Sequence, residues 1–249
     1  MSGLLVLWDV DYTLLHAAGV GRQLYQEAFA QVFGRELPAA ATEAGMAGRT
    51  DRAITLDVLT LAGVPDPPGQ AAAFQAALHR LAPGVAPMVS ANAVVLPGVA
   101  DALAALGRQP GVVQSVLTGN IRPLAEAKLG PLGLAAWLNL DIGAYGSEHE
   151  VRSELVDLAR ARAAEACGDS FSGAATVLIG DTPLDIEAAL VTGARAIAVA
   201  TGQFSVAELT AAARDDGAAP GTVTVLPDLT DTAAVVSAVM NGQAGEPAA

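Results

Sequence analysis

The hydrophobic positions of this chain follow two patterns, short continuous apolar runs and longer stretches in which apolar residues recur every three to four positions. The runs have the length of buried strands and cover Leu4–Trp8, 112–117, 176–179, 194–200 and 222–226. Stretches with helical spacing lie between them, at 100–106, 124–129, 152–166 and 184–191. Strands that alternate with helices predict an α/β fold, a doubly wound parallel sheet of the Rossmann-like kind.

Residues 16–88 interrupt this alternation because they contain no convincing strand. Helical spacing occurs there at 22–33, 52–62 and 70–81, with several prolines between these stretches. We therefore predict an inserted α-helical cap domain at 16–88 and an α/β core domain formed by 1–15 and 89–235. The last residues, 236–249, include a small, polar, Pro- and Gly-bearing stretch, and we expect a disordered tail.

Charge and composition exclude several classes of partner. The 249 residues carry a net charge of −13, which argues against nucleic acid as a partner, since binding to its backbone needs clustered basic residues. No apolar stretch is long enough to cross a bilayer, and Cys167 is the only cysteine, so we expect a cytoplasmic protein without a membrane partner. The sequence leaves open whether the protein is a monomer or a homodimer.

Carboxylates follow two of the predicted strands directly. Asp9 and Asp11 come after Leu4–Trp8, and Asp181 comes after the run 176–179, with Asp185 one helical turn later. Taken alone, each motif is also typical of a surface turn or a helix cap. Their positions after buried strands place them at one edge of a parallel sheet, where Mg²⁺ could bind hard oxygen ligands.

A hydroxyl, a glycine and a lysine form a second candidate group. Thr118, Gly119 and Asn120 follow the run 112–117, where side chain and backbone N–H groups can bind phosphoryl oxygens. Lys128, the sole lysine of the chain, lies about one helix further on. The alternatives are a plain turn at 118–120 and a solvated side chain at Lys128. Every other basic residue among Lys and Arg in this chain is arginine, which makes this lysine notable.

One arginine of the predicted cap is a candidate for contacting the leaving group. Arg49 follows Gly48, and a flexible loop could bring its guanidinium onto the crevice. The alternative is a purely structural helix start, with Thr50 as the N-cap and Asp51 in the first turn.

Taken together, these motifs resemble the haloacid dehalogenase-like (HAD) hydrolase superfamily over residues 1 to about 232, and the insert resembles the cap of its phosphoglycolate phosphatase-like subgroup. The resemblance implies that Asp9 is the nucleophile and also binds the metal, and that Asp11 is the general acid and base, with its carbonyl binding the metal. Thr118 and Lys128 would bind the phosphoryl group. Asp181 would be a metal ligand, Asp185 would bind the metal directly or through water, and Thr13 would orient the loop. Many members of the superfamily carry the lysine in a Lys-Pro pair shortly before the last motif, whereas this chain has Gly-Ser-Glu-His-Glu at 146–150.

The implied function is a Mg²⁺-dependent phosphatase that forms an aspartyl-phosphate on Asp9. Its substrate would be a small phosphorylated metabolite, with phosphoglycolate or a sugar phosphate as first expectations. A phosphomutase of the β-phosphoglucomutase type is the closest alternative, and a catalytically idle phosphate-ligand-binding or partner-binding module is a third. A dehalogenase needs neither Asp11 nor Asp181, and a phosphonate-cleaving enzyme needs a cap lysine that 16–88 lacks.

Overall fold

A six-stranded parallel sheet forms the centre of the molecule. The computed structural model describes residues 3–17, 19–42, 45 and 47–241. Its strands are β1 Leu4–Trp8, β2 Leu15–His16, β3 Val94–Val95, β4 Val112–Thr118, β5 Ala144–Tyr145, β6 Thr176–Gly180, β7 Arg195–Val199 and β8 Val223–Leu226. The sheet order is β5-β4-β1-β6-β7-β8, and β2 pairs with β3 separately. All neighbours in the large sheet run parallel, which confirms the predicted α/β class.

Eleven α-helices lie in the described part of the chain. They are α1 Val20–Phe33, α2 Ala39–Thr42, α3 Asp51–Leu61, α4 Pro67–Leu81, α5 Ala86–Asn92, α6 Val99–Gly107, α7 Arg122–Leu129, α8 Arg152–Cys167, α9 Pro183–Val191, α10 Val206–Asp215 and α11 Thr232–Met240. None of these helices has the length and apolar character required to cross a bilayer.

Each of the five apolar runs contains a strand of the large sheet. Every residue of β1 and of β6 is buried, as expected for the inner strands of a parallel sheet. The two-residue strand β5 escapes prediction because so short an element carries no periodic pattern.

Helices α1 to α5, which we call the helical insert, lie between β2 and β3 in the chain. Aromatic rings join α1 to α4: Phe74 packs edge-on against Tyr25 and Phe29, with ring centroids 5.6 and 6.2 Å apart. The predicted boundary between residues 88 and 89 falls inside α5, so the chain leaves the insert at β3 instead. The division into two domains stays a prediction.

The predicted disordered tail begins too early. Residues 236–240 belong to α11, whose Val235 and Val239 are fully buried one helical turn apart. Apolar side chains at that spacing pack the helix into the hydrophobic core beside α6, so disorder is wrong for these five residues. Residues 242–249 lie outside the described residues.

Candidate active site

Asp9, Thr118 and Asp181 leave the sheet at almost the same level. Trp8, the last residue of β1, is paired with both neighbouring strands, β4 and β6. Asp9 follows it directly, and Thr118 and Asp181 each stand one residue further along in the register. Because β1 lies between the other two strands, the three side chains meet in one crevice at the carboxyl edge of the sheet.

The buried carboxylates of Asp9, Asp181 and Asp185 form a cluster in which one oxygen of each lies within 4.8 Å of the other two. Thr13 donates from Oγ1 to Oδ1 of Asp181 at 3.3 Å. Thr182, and not Asp181, is the N-cap of α9, and Asp185 completes its capping box by accepting from the Thr182 N–H and hydroxyl. The helix start therefore fixes one carboxylate of the cluster.

Arg152, the first residue of α8, is the cation of this cluster. Its Nη2 lies 2.9 Å from Oδ1 of Asp9 and 2.6 Å from Oδ1 of Asp185, and Nε donates to the same Asp185 oxygen at 3.0 Å. Arg152 is not among the residues predicted from the sequence, because the resemblance implies a lysine in this region and 146–150 contains none. A usable signal existed: Arg152 shares the buried face of α8 with Leu155, Val156 and other apolar residues, where an unpaired charge would be costly.

Burial raises the pKa of two cluster members. The pKa of Asp9 rises from 3.8 to about 7 because burial disfavours its charged form; Arg152 opposes the rise, while Asp185 and Asp11 add to it. The pKa of Asp181 rises to about 8, again chiefly through burial, with Asp9 and Asp185 reinforcing it. At neutral pH the cluster by itself therefore retains protons that a bound cation could displace.

The donor set fits a divalent cation. When ionised, the three carboxylates carry three negative charges against the single positive charge of Arg152, which leaves two charges to be balanced. All donors are hard oxygens, which suits Mg²⁺ or a similar ion. Asp9, Asp181 and Asp185, three of the four metal ligands predicted from the sequence, are the residues whose carboxylates could hold it, and the contact predicted for the Asp11 carbonyl stays a prediction.

A second cluster faces the first and is built around Lys128. Its Nζ donates to Oδ1 and Oδ2 of Asp11 at 2.8 and 2.6 Å and to Oδ1 of Asn120 at 2.8 Å. The Asn120 amide in turn donates to Oδ2 of Asp11 and to Oγ1 of Thr118, both at 2.8 Å. Lys128 is almost completely buried, so it is not the solvated lysine of the alternative interpretation.

The helical insert contributes one carboxylate that is not among the predicted site residues. Asp51 is buried at the start of α3, and it accepts from the Tyr25 hydroxyl at 2.6 Å and from the Ile121 backbone N–H at 2.7 Å. Burial raises its pKa, although both hydrogen bonds oppose that rise. An acid in the first turn of a helix is a common pattern, so nothing local distinguished it.

Arg49 lies on the wall of the same crevice but is paired within the helical insert. Its Nη2 contacts Oδ2 of Asp57 at 2.6 Å, and Nη1 donates to the carbonyl of Gly45 at 3.1 Å. Thr50 caps α3, as in the structural alternative. The backbone of this loop comes down on Gly119, where a side chain would collide with the Arg49 carbonyl. Glycine at 119 thus permits the close approach.

The two clusters and the helical insert line an open cavity of about 260 Å³. Asp9 and Asp181 line it from the first cluster, and Asp11 and Lys128 line it from the second. A volume of this size accommodates a small ligand. The cavity brings a buried carboxylate cluster, a lysine and a hydroxyl within reach of one bound anion.

Two family models match the sequence. The model for haloacid dehalogenase-like hydrolases matches residues 6–190, and a second, HAD-hydrolase-like, matches residues 153–232. No curated protein sequence matches significantly.

Solved structures with the same fold are numerous. A predicted phosphatase from Clostridium acetobutylicum has a TM-score of 0.62 at 17% identity, covering 90% of this chain and 94% of its own. A Lactobacillus plantarum protein assigned as a phosphoglycolate phosphatase has a TM-score of 0.59 at 13% identity, covering 94% and 100%. A Bacteroides vulgatus protein assigned as a β-phosphoglucomutase has a TM-score of 0.59 at 15% identity, covering 97% and 90%. At these identities the likeness concerns the fold.

Proposed function

This chain belongs to the haloacid dehalogenase-like hydrolase family, and we propose that it hydrolyses a small phosphate monoester, with Mg²⁺, through an aspartyl-phosphate on Asp9. The observation that carries this proposal is the pairing of two clusters across one cavity. Asp9, Asp181 and Asp185 lie within 4.8 Å of one another on one side, and Lys128 contacts Asp11 on the other. An anionic phosphoryl group placed between them would meet a nucleophile, a proton donor and cationic groups.

Asp9 is the nucleophile of the proposal because it is held at the end of β1 in a defined orientation. Arg152 contacts its Oδ1, which restrains that oxygen and leaves Oδ2 to attack. A bound Mg²⁺ would neutralise charge on the carboxylates and on the phosphoryl oxygens, which otherwise repel each other.

Two displacement steps follow, and Asp11 transfers the proton in both. In the first, a bond forms between Asp9 Oδ2 and phosphorus, the bond from phosphorus to the ester oxygen breaks, and Asp11 gives its proton to that oxygen. In the second, Asp11 takes a proton from water, the water oxygen bonds to phosphorus, and the bond to Asp9 breaks. The products are an alcohol and inorganic phosphate, and both carboxyl groups return to their starting states.

Lys128 and Thr118 are the phosphoryl binders of the proposal. Lys128 has three N–H donors, which its contacts with Asp11 and Asn120 engage. A phosphoryl group would therefore replace part of the contact with Asp11, which loosens that side chain for proton transfer. The Thr118 hydroxyl, fixed by the Asn120 amide, can donate its own proton to the ligand.

A phosphomutase would share the first step and pass the phosphoryl group to a second hydroxyl. The β-phosphoglucomutase assignment of one structure with this fold makes the distinction worth testing. Sustained release of inorganic phosphate supports the hydrolase. A stoichiometric burst of alcohol without continued release of phosphate supports the mutase.

The deciding experiment measures phosphate release from para-nitrophenyl phosphate by the wild-type protein, Asp9→Asn and the matched control Asp215→Asn. Asp215 is exposed at the end of α10, so the same chemical change there leaves the cavity intact. We expect Mg²⁺-dependent turnover in the wild type and the control, and a loss of at least about 1,000-fold in Asp9→Asn. Acid-quenched wild-type protein should carry one phosphoryl group on the peptide that contains Asp9.

An inactive Asp9→Asn protein should still be folded, because the change removes one of three clustered carboxylates and so reduces the repulsion between them. Its thermal midpoint without metal should equal or exceed that of the wild type. Activity that persists in Asp9→Asn, or that is the same in EDTA, contradicts the proposal.

A further inference from the structure

Tyr12 has a backbone conformation that bulky residues rarely adopt. Its φ is +59°, and Asp66 is the only other non-glycine residue with a positive φ among the described residues. Aspartate tolerates the left-handed region through its short polar side chain, whereas tyrosine is strained there and glycine is not. Tyrosine at this position therefore needs a reason beyond the shape of the loop.

The loop itself does not need the ring. The Tyr12 N–H donates to the Leu15 carbonyl at 2.7 Å, and the Tyr12 carbonyl accepts from Oγ1 of Thr201 at 2.5 Å. Both bonds use backbone atoms of residue 12, so a glycine there would make them equally well. The reason for tyrosine must lie in its side chain.

The side chain does not serve core packing. The residue is 44% exposed and lines the cavity that contains Asp9, Asp11 and Lys128. Its ring stacks on His16, with centroids 4.8 Å apart and planes inclined by 29°. The phenol hydroxyl has no hydrogen-bond partner among the described residues. An aromatic surface thus stands beside the charged centre, with its area still open.

The wall of the cavity is also open at the start of α1. Gly19 and Gly21, around the start of α1, also line the cavity, and a side chain atom added at either would meet only open space. A flat group in this cavity could therefore contact the ring without meeting a side chain at residues 19 and 21, while its phosphate reaches the carboxylate cluster.

We propose that Tyr12 is the contact surface for a leaving group that carries a flat ring, so that the substrate class is phosphate monoesters of ring-bearing alcohols. This inference rests on the proposed phosphatase function. A ring that packs on Tyr12, with His16 behind it, gains an aromatic contact that increases binding about threefold to tenfold. A two-carbon ester such as phosphoglycolate would leave this surface unused.

The test compares kcat/KM for benzyl phosphate and ethyl phosphate, two alkyl esters with leaving groups of similar basicity. Variants are Tyr12→Gly, Tyr12→Phe and the control Trp137→Ala, since Trp137 is 43% exposed on a segment that does not line the cavity. The wild type should favour benzyl phosphate. Tyr12→Gly should lower the benzyl-to-ethyl ratio about threefold to tenfold, mainly through KM, whereas Tyr12→Phe and Trp137→Ala should keep it.

A ratio is insensitive to partial inactivation, so loss of folded protein cannot imitate the expected result. Cyclohexylmethyl phosphate, which is as bulky as the benzyl ester but not flat, should be less favoured than it by the wild type. The inference is overturned if Tyr12→Gly leaves the benzyl-to-ethyl ratio unchanged, which includes an equal loss of kcat/KM for both esters. It is also overturned if the wild type does not favour the benzyl ester. If the wild type releases phosphate from para-nitrophenyl phosphate but from neither of these two esters, only this inference fails; if it releases phosphate from none of the three, the proposed function fails as well.

Discussion

The Nη2 atom of Arg152 lies 2.9 Å from Oδ1 of Asp9, and this contact joins the start of α8 to the end of β1. Both side chains are almost completely buried, so neither charge can be compensated by water. Arg152 also contacts Asp185, and it therefore links the residue proposed as nucleophile to the rest of the carboxylate cluster.

Removal of the Arg152 charge should damage both stability and catalysis. We expect Arg152→Met to lower the free energy of unfolding by about 3 to 5 kcal/mol, because it leaves buried carboxylates without their cation. It should lower kcat/KM by about 100-fold or more, since Asp9 loses its orientation. Arg152→Lys should recover part of both, because an ammonium supplies the charge but not the fork that reaches two carboxylates.

Urea unfolding and steady-state kinetics measure these effects, with Arg214→Met as the control. Arg214 is exposed in α10 and has no role in the cavity. Wild-type kcat/KM in Arg152→Met would show that the contact with Asp9 does not matter for the reaction.

The stability of the metal-free protein should fall as pH rises from about 4 to about 8. The folded-state pKa values of Asp9 and Asp181 are raised from 3.8 to about 7 and about 8, so in this range the folded protein binds protons that the unfolded chain has already released. The unfolding free energy therefore decreases with pH across this window. A bound divalent cation replaces those protons, so the stabilisation by Mg²⁺ should grow with pH.

Thermal midpoints in EDTA and in Mg²⁺ across this pH range give the measurement, and calorimetry in two buffers gives the number of protons released. Asp181→Asn should flatten the pH dependence in EDTA, whereas the exposed control Asp215→Asn should keep it. A Mg²⁺ effect that is equal at every pH would contradict the linkage.

Lys128 should have two roles, because it contacts Asp11 and should also bind the phosphoryl group directly. A double-mutant cycle can separate the two. Lys128→Met should reduce kcat/KM by about 100-fold, the loss expected when a preorganised charge beside the phosphate is removed. If Lys128 binds phosphate directly, the same change should raise the inhibition constant of inorganic phosphate even in an Asp11→Asn background. An unchanged inhibition constant in that background would restrict Lys128 to contacts with Asp11.

Asp51 should hold the helical insert against the loop after β4, which carries Asn120. Asp51→Ala removes the acceptor of the Ile121 N–H, and we expect faster hydrogen exchange at that amide together with about a tenfold lower kcat/KM. Tyr25→Phe removes only the hydroxyl that donates to Asp51, so its cost should be near 1 kcal/mol and the Ile121 amide should stay protected. Equal exchange rates at Ile121 in the wild type and in Asp51→Ala would show that this bond does not order the loop.

The sequence by itself determined the α/β class and the positions of the main strands, because each strand is a local apolar run whose length and flanks are readable without its neighbours. It also placed Asp9, Thr118 and Asp181 at one edge, since parallel strands end at a common level. The two-residue strands, and the continuation of α5 across the predicted domain boundary between residues 88 and 89, could not be predicted from the sequence. Both depend on contacts with distant segments.

Only the tertiary structure decided which charged groups meet. Arg152 and Asp51 each stand in the first turn of a helix, a position that is compatible with a solvated side chain. Packing of α8 against the sheet and of α3 against the loop after β4 buries them, and a buried charge must find a partner. The left-handed backbone of Tyr12 likewise follows from the loop that its neighbours impose, so its exposed ring beside the cavity could not be inferred from the order of residues.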